Sequence, residues 1–131
     1  MLTEDYISFE TSKLLKEKGY KGSFDGYYND AGCVVDRPNA LLKEPEYHYY
    51  GRVSLYMAMK WLREVHHYII EIHYGNVGSP REPKMQWWWE LENIQGEFLD
   101  GNITDGNATY EEAVEAAINH ALEYELPPVN K

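Results

Sequence analysis

The chain has 131 residues, 44% hydrophobic and 15% aromatic, with twelve Tyr and four Trp; a chain of this size and composition can bury roughly two-thirds of its unfolded surface, which argues against intrinsic disorder. Its net charge of −10 is unevenly placed, because residues 85–131 carry ten acids and one base, Lys131, whereas residues 1–84 carry twelve acids and eleven bases. Such a balance repels nucleic-acid backbones and attracts basic surfaces, and the single cysteine, Cys33, rules out an internal disulfide.

Met1 to Asp5 lacks the basic and apolar regions of a secretory signal, and no apolar run approaches the roughly 20 residues that span a bilayer. The expectation is a soluble, cytoplasmic, single-domain protein without a membrane partner, in which Asn102-Ile103-Thr104 and Asn107-Ala108-Thr109 are turn residues rather than glycan acceptors.

The first predicted helix runs from about Thr3 to Lys18. Thr3 caps it, Glu4 and Asp5 suit its positive end, Ile7, Thr11, Leu14 and Leu15 fall at helical spacing, and Gly19 ends it with Tyr20 just beyond. Gly22, Gly26, Gly32, Pro38 and Pro45 then break the pattern up to Gly51, leaving one or two short strands around 24–28 and 47–50. Ser54 caps a second helix with an apolar stripe of Leu55, Ala58, Trp61, Leu62 and Val65, ending near His66 or His67.

The period then changes to two. Tyr68, Ile70, Ile72 and Tyr74 alternate with Ile69, Glu71 and His73, and after a Gly- and Pro-containing loop Met85, Trp87, Trp89 and Leu91 alternate with Gln86, Trp88, Glu90 and Glu92. These are two antiparallel strands, with a short third over 97–99. Thr109-Tyr110-Glu111-Glu112 has the form of a capping box, and Ala113, Val114, Ala117, Ile118, Ala121 and Leu122 make the stripe of a last helix that Pro127-Pro128 terminates. The expected fold class is α+β, an antiparallel sheet packed against about three helices.

Three stretches, MLTEDYISFETSKLLKEKG (1–19), MAMKWLREVHH (57–67) and YEEAVEAAINHALE (110–123), resemble a family of small proteins carried by phages, prophages and other mobile elements of gut Bacteroidetes. Together they cover about a third of the chain. Members often have Pro-Thr just ahead of the second stretch, where this chain has Val53-Ser54. The resemblance implies a bacterial, intracellular setting and an accessory role, and it brings no catalytic residue with it.

If Tyr68, Ile70, Ile72, Trp87, Trp89 and Leu91 face the helices, then Glu71, His73, Trp88, Glu90 and Glu92 share the opposite face of the sheet. A tryptophan among carboxylates has the chemistry of an interface anchor that selects a basic protein, although a second copy of the chain would cover it equally well. His66, His67, Glu71 and His73 are of metal-ligating type, but the adjacent histidines at a helix end match no ligand motif, and neither metal nor cofactor is expected. Asp100, Asn102, Thr104 and Glu111 have partial calcium-loop spacing, with Asp105 where glycine is required. No phosphate loop or nucleophile elbow is present, and Cys33 has no identifiable histidine partner. Lys13, Lys16, Lys18 and Lys21 are read as the solvated face of the first helix rather than a phosphate track, so direct nucleic-acid binding is not expected.

These features point to a small interaction protein that binds a protein partner through an acidic, aromatic surface. A self-associating domain, an acidic DNA mimic, and a small enzyme using Glu71, His73 and Glu90 or Glu92 stand as alternatives.

Overall fold

The computed structural model describes residues 5–22, 24–35, 49–103 and 106–126. Its elements are α1 (Phe9–Glu17), β1 (Tyr27–Asn29), β2 (Val34–Val35), β3 (Tyr49–Gly51), α2 (Leu55–Val65), β4 (Tyr68–Asn76), β5 (Met85–Asn93), β6 (Phe98–Gly101) and α3 (Tyr110–His120), the last continued by a π-helical turn, Ala121–Glu125. The fold is α+β. In place of one sheet, however, the strands form two antiparallel sheets, ordered β2-β1-β3 and β4-β5-β6. The helices divide accordingly: α2 and α3 pack on β4 and β5, whereas α1 packs on β3 and α3.

The start of α1 differs from expectation. Thr3 and Glu4 lie outside the described residues, and the helix is capped by Ser8, whose side chain accepts from the Thr11 amide. Ahead of it the chain is extended: Tyr6 bridges Ser54, the Ile7 amide donates to the Val53 carbonyl at 2.9 Å, and the Leu55 amide donates to the Asp5 carbonyl at 3.0 Å. Strand-like pairing thus supplies partners that a longer helix would have supplied, and Ile7 is buried from an extended segment. The C-terminus follows expectation. Gly19, at φ 90°, donates to the Lys16 carbonyl and Tyr20 to that of Leu15, the two bonds of a Schellman ending, and the Tyr20 ring enters the core. Lys16 and Lys18 are not free solvated charges, since their Nζ atoms donate to the carbonyls of Tyr49 and Leu126.

Ser54 caps α2 by accepting from the Met57 amide at 3.1 Å, and Leu55, Ala58 and Leu62 are buried. Val65, expected on the same stripe, is exposed, because α2 passes its cap His66 and turns at His67 (φ 64°) straight into β4. In α3, Thr109 caps as expected by accepting from the Glu112 amide, while the Glu112 carboxylate reaches the Ala108 amide, one residue earlier than a standard capping box. Ala113, Val114, Ala117, Ile118, Ala121 and Leu122 are fully buried, and all but Ala113 join Leu62, Trp89 and Leu91 in the core cluster. Full burial stabilises each of the larger members by about 1.5–3 kcal/mol. Pro127 and Pro128 lie outside the described residues.

The second sheet assembles from the region of 24–51 that sequence pattern left least defined. Asn29 turns β1 into β2 by accepting from the amides of Ala31 and Cys33, and Gly32, at φ 81°, completes the turn. Pro38, Pro45 and Tyr47 lie outside the described residues. Helix α3 holds α1 through polar contacts: the Glu115 carboxylate accepts from the Ser8 amide at 3.1 Å, and the buried Thr11 hydroxyl stands 2.7 Å from Asn119 Oδ1 and 3.1 Å from Glu115 Oε2. A carboxylate at the amino end of α1 is also favoured by the helix dipole.

Candidate functional site

The β4–β5 register decides which side chains meet. Ile70 faces Leu91 and Ile72 faces Trp89, so these four share the side covered by α2 and α3. By alternation, Glu71 opposite Glu90 and His73 opposite Trp88 stand on the other side, together with Ile69 opposite Glu92. The register is pinned at the loop end of the pair, where Asn76 Oδ1 accepts from the amides of Gly78 and Lys84.

Glu71, His73 and Glu90 converge. His73 Nε2 lies 3.0 Å from Glu90 Oε1 and 3.5 Å from Glu71 Oε2, and one ligand-type atom from each of the three lies within 4.8 Å of the others. Nε2 carries at most one hydrogen and so donates to one carboxylate, Glu90 being the nearer. The second carboxylate remains opposite a like charge, an arrangement that costs a sheet stability. The site is only partly withdrawn from water, with side-chain exposures of 45% for Glu71, 38% for His73 and 32% for Glu90.

Trp88 stacks on the His73 imidazole, ring centroids 5.4 Å apart and planes inclined by 22°, and the far edge of its indole lies over Gly75. A Cβ on Gly75 would approach the ring to 3.1 Å, so the glycine gives the indole room to lie flat. The Trp88 Nε1 is buried and has no hydrogen-bond partner among the described residues. Glu92, opposite Ile69 on β4 and Phe98 on β6, extends the acidic rim of this face; Phe98 itself is 62% exposed. All five residues expected on the outer face are therefore found there, but Glu92 stands apart from the Glu71–His73–Glu90 cluster.

Other candidates are placed differently. His66 is a cap residue packed edge-on against Trp61 at 4.5 Å, and burial, followed by the neighbouring His67, holds its pKa below the ordinary value; neither residue belongs to the cluster. In the calcium-like segment, Asn102 Oδ1 accepts from the Trp89 amide and its Nδ2 donates to Asn107, while Asp100 pairs with His120 at 3.1 Å. Those groups are committed to joining β5, β6 and α3; Thr104 and Asp105 lie outside the described residues. Cys33 is exposed in the β1–β2 turn region.

Two features have no local sequence signal. One is the Asp100–His120 pair, whose imidazole lies between Trp89 and Tyr124, at 4.9 and 5.0 Å. The other is a cavity of about 410 Å³ where α3 meets the segment before α1, lined by Asp5, Tyr6, Leu55, Glu111, Glu112 and Glu115 among others. It shares no residue with the outer-face cluster. Among the described residues, no helix is long and apolar enough to cross a membrane. No family model matches the chain, and no curated protein or solved structure is similar to it.

Proposed function

We propose that the outer face of the β4–β5–β6 sheet is a protein-binding surface for a basic partner, with Trp88 as its anchor and Glu71, Glu90 and Glu92 as the charges that select the partner. The observation that carries this reading is the half-buried Trp88 indole on the sheet face away from the helices, stacked on His73 beside the opposed Glu71 and Glu90. Tryptophan is also among the residues that dominate binding energy when water is excluded around them.

The distribution of acids favours a local contact over imitation of a DNA duplex. Glu90 and Glu92 lie on the outer face, Glu111, Glu112 and Glu115 line the separate cavity, and Asp100 is engaged with His120. The convergence of Glu71, His73 and Glu90 on a sheet face, outside that cavity, likewise favours binding over catalysis. The partner belongs to a bacterial cytoplasm in which the protein is an accessory of a mobile element.

The test is capture from nuclease-treated bacterial lysate at two salt concentrations. A basic protein held by the wild type, released by salt, lost by Trp88→Ala and by the triple change Glu71, Glu90 and Glu92 to Gln, yet kept by Glu111→Gln/Glu112→Gln, supports the proposal. Capture indifferent to Trp88 refutes it, and a doubled solution mass that Trp88→Glu returns to monomer identifies a second copy of the chain as the occupant.

A further inference from the structure

We infer that Glu71, His73 and Glu90 form a binding site for a divalent transition metal of the zinc class. The inference shares Glu71 and Glu90 with the protein-binding reading but rests on ligand geometry rather than on a docked chain, and its test reads the ion directly.

Distances carry it first. Zinc bound at about 2.0–2.1 Å in tetrahedral geometry places its ligand atoms about 3.3 Å from one another. His73 Nε2 stands 3.0 Å from one carboxylate oxygen and 3.5 Å from the other, on either side of that value, and the whole set fits within 4.8 Å. Small side-chain rotations are enough to place an ion between the three atoms.

Charge carries it further. Two carboxylates directly opposed across a ladder have one nitrogen between them, and that nitrogen offers at most one proton. A dication in the proton's place is attracted to both carboxylates at once and leaves a neutral cluster. The exchange balances: Zn²⁺ takes the Nε2 lone pair, the imidazole proton resides on Nδ1, and any proton displaced from Nε2 passes to solvent.

The frame is preorganised. Glu71 and His73 project from alternate positions of β4, Glu90 stands opposite on β5, and Trp88 stacked on His73 limits the rotation of the imidazole. One histidine with two carboxylates suits zinc, cobalt or manganese better than calcium or magnesium, which take oxygen ligands. Because the cluster is exposed to solvent, the remaining coordination position is open to water.

The experiment is a titration of the chelator-treated full-length protein with ZnCl₂ by calorimetry, paired with a ¹H–¹⁵N spectrum during addition of Co²⁺. The expected result is one saturable equivalent, weakened at least about tenfold by Glu71→Gln, His73→Asn and Glu90→Gln and unchanged by Glu111→Gln/Glu112→Gln. In the wild type, Co²⁺ should shift or broaden the Trp88 indole and the amides of residues 71, 73 and 90 ahead of the Trp61 indole, a readout that needs no variant to fold. Absence of saturable binding, binding that survives His73→Asn, or perturbation centred on His66, His67 or His120 overturns the inference.

Discussion

Replacing Glu71 should make the metal-free protein more stable. Its carboxylate faces that of Glu90 across the β4–β5 ladder, with ligand-type oxygens no more than 4.8 Å apart. Two unit charges at that separation repel by about 0.9 kcal/mol in water, and directly opposed cross-strand pairs are worth about 0.2–1 kcal/mol. The substitution also removes the pairing of Glu71 with His73, but at 3.5 Å, and with the Glu71 side chain 45% exposed, that pairing offsets little of the repulsion. In chelator-treated protein, Glu71→Gln should therefore gain about 0.5 kcal/mol and Glu71→Lys about 1 kcal/mol. For a chain of this length, the larger gain raises Tm by about 3–4 °C. Urea unfolding followed by circular dichroism at low ionic strength measures both, and at 1 M salt, where the Debye length is about 3 Å, the gains should shrink. Zinc should reverse the order: at one hundred times its Kd it stabilises the wild type by about 2.7 kcal/mol and Glu71→Gln far less. A lower stability of chelator-treated Glu71→Gln would refute the reasoning, since the two carboxylates would then be held rather than opposed.

Other expectations concern the frame. Thr11→Val should cost about 1–2 kcal/mol, because it strips the buried hydrogen bonding of α1 with Asn119 and Glu115, whereas Thr11→Ser should keep most of it; urea midpoints distinguish the two. Gly19→Ala, at φ 90° in the Schellman ending of α1, should cost about 1–2 kcal/mol by thermal unfolding. His66 is held below its ordinary pKa mainly by burial, so the unfolded chain takes up its proton first as pH falls. Its stabilisation is complete above about pH 6.5 and is lost as pH drops from there toward the folded value; His66→Gln should accordingly reduce the fall in urea midpoint between about pH 7.5 and about pH 5.

Where local chemistry and periodicity agree, the sequence predicts the structure closely. Ser54 and Thr109 cap the helices they were expected to cap, the small residues of α3 are buried, and the two-residue alternation of β4 and β5 places Glu71, His73, Trp88, Glu90 and Glu92 on one face. What escapes is decided by partners distant in sequence. Ser8 displaces Thr3 as the cap of α1 because the residues before it pair with Val53 and Ser54, and β1 joins β3 only across a long intervening stretch of chain. The convergence of Glu71 with Glu90 rather than Glu92 likewise depends on the register, which Asn76 and the length of the 77–84 loop determine.

The two polar positions Glu71 and His73 of β4 also bear on the fate of the chain before and between folding events. Among the described residues β4 lies at an edge of its sheet, and without Glu71 and His73 the run Tyr68-Ile69-Ile70-Glu71-Ile72-His73-Tyr74 would be wholly aromatic and β-branched, the composition of segments that stack into fibrils. Glu71 and His73 act there as gatekeepers: a strand from another molecule that adds to this edge in register must bring its own glutamate beside Glu71. The charge at position 71 that weakens the folded sheet thus also discourages amyloid-like growth, and an apolar residue there would relieve the first while surrendering the second.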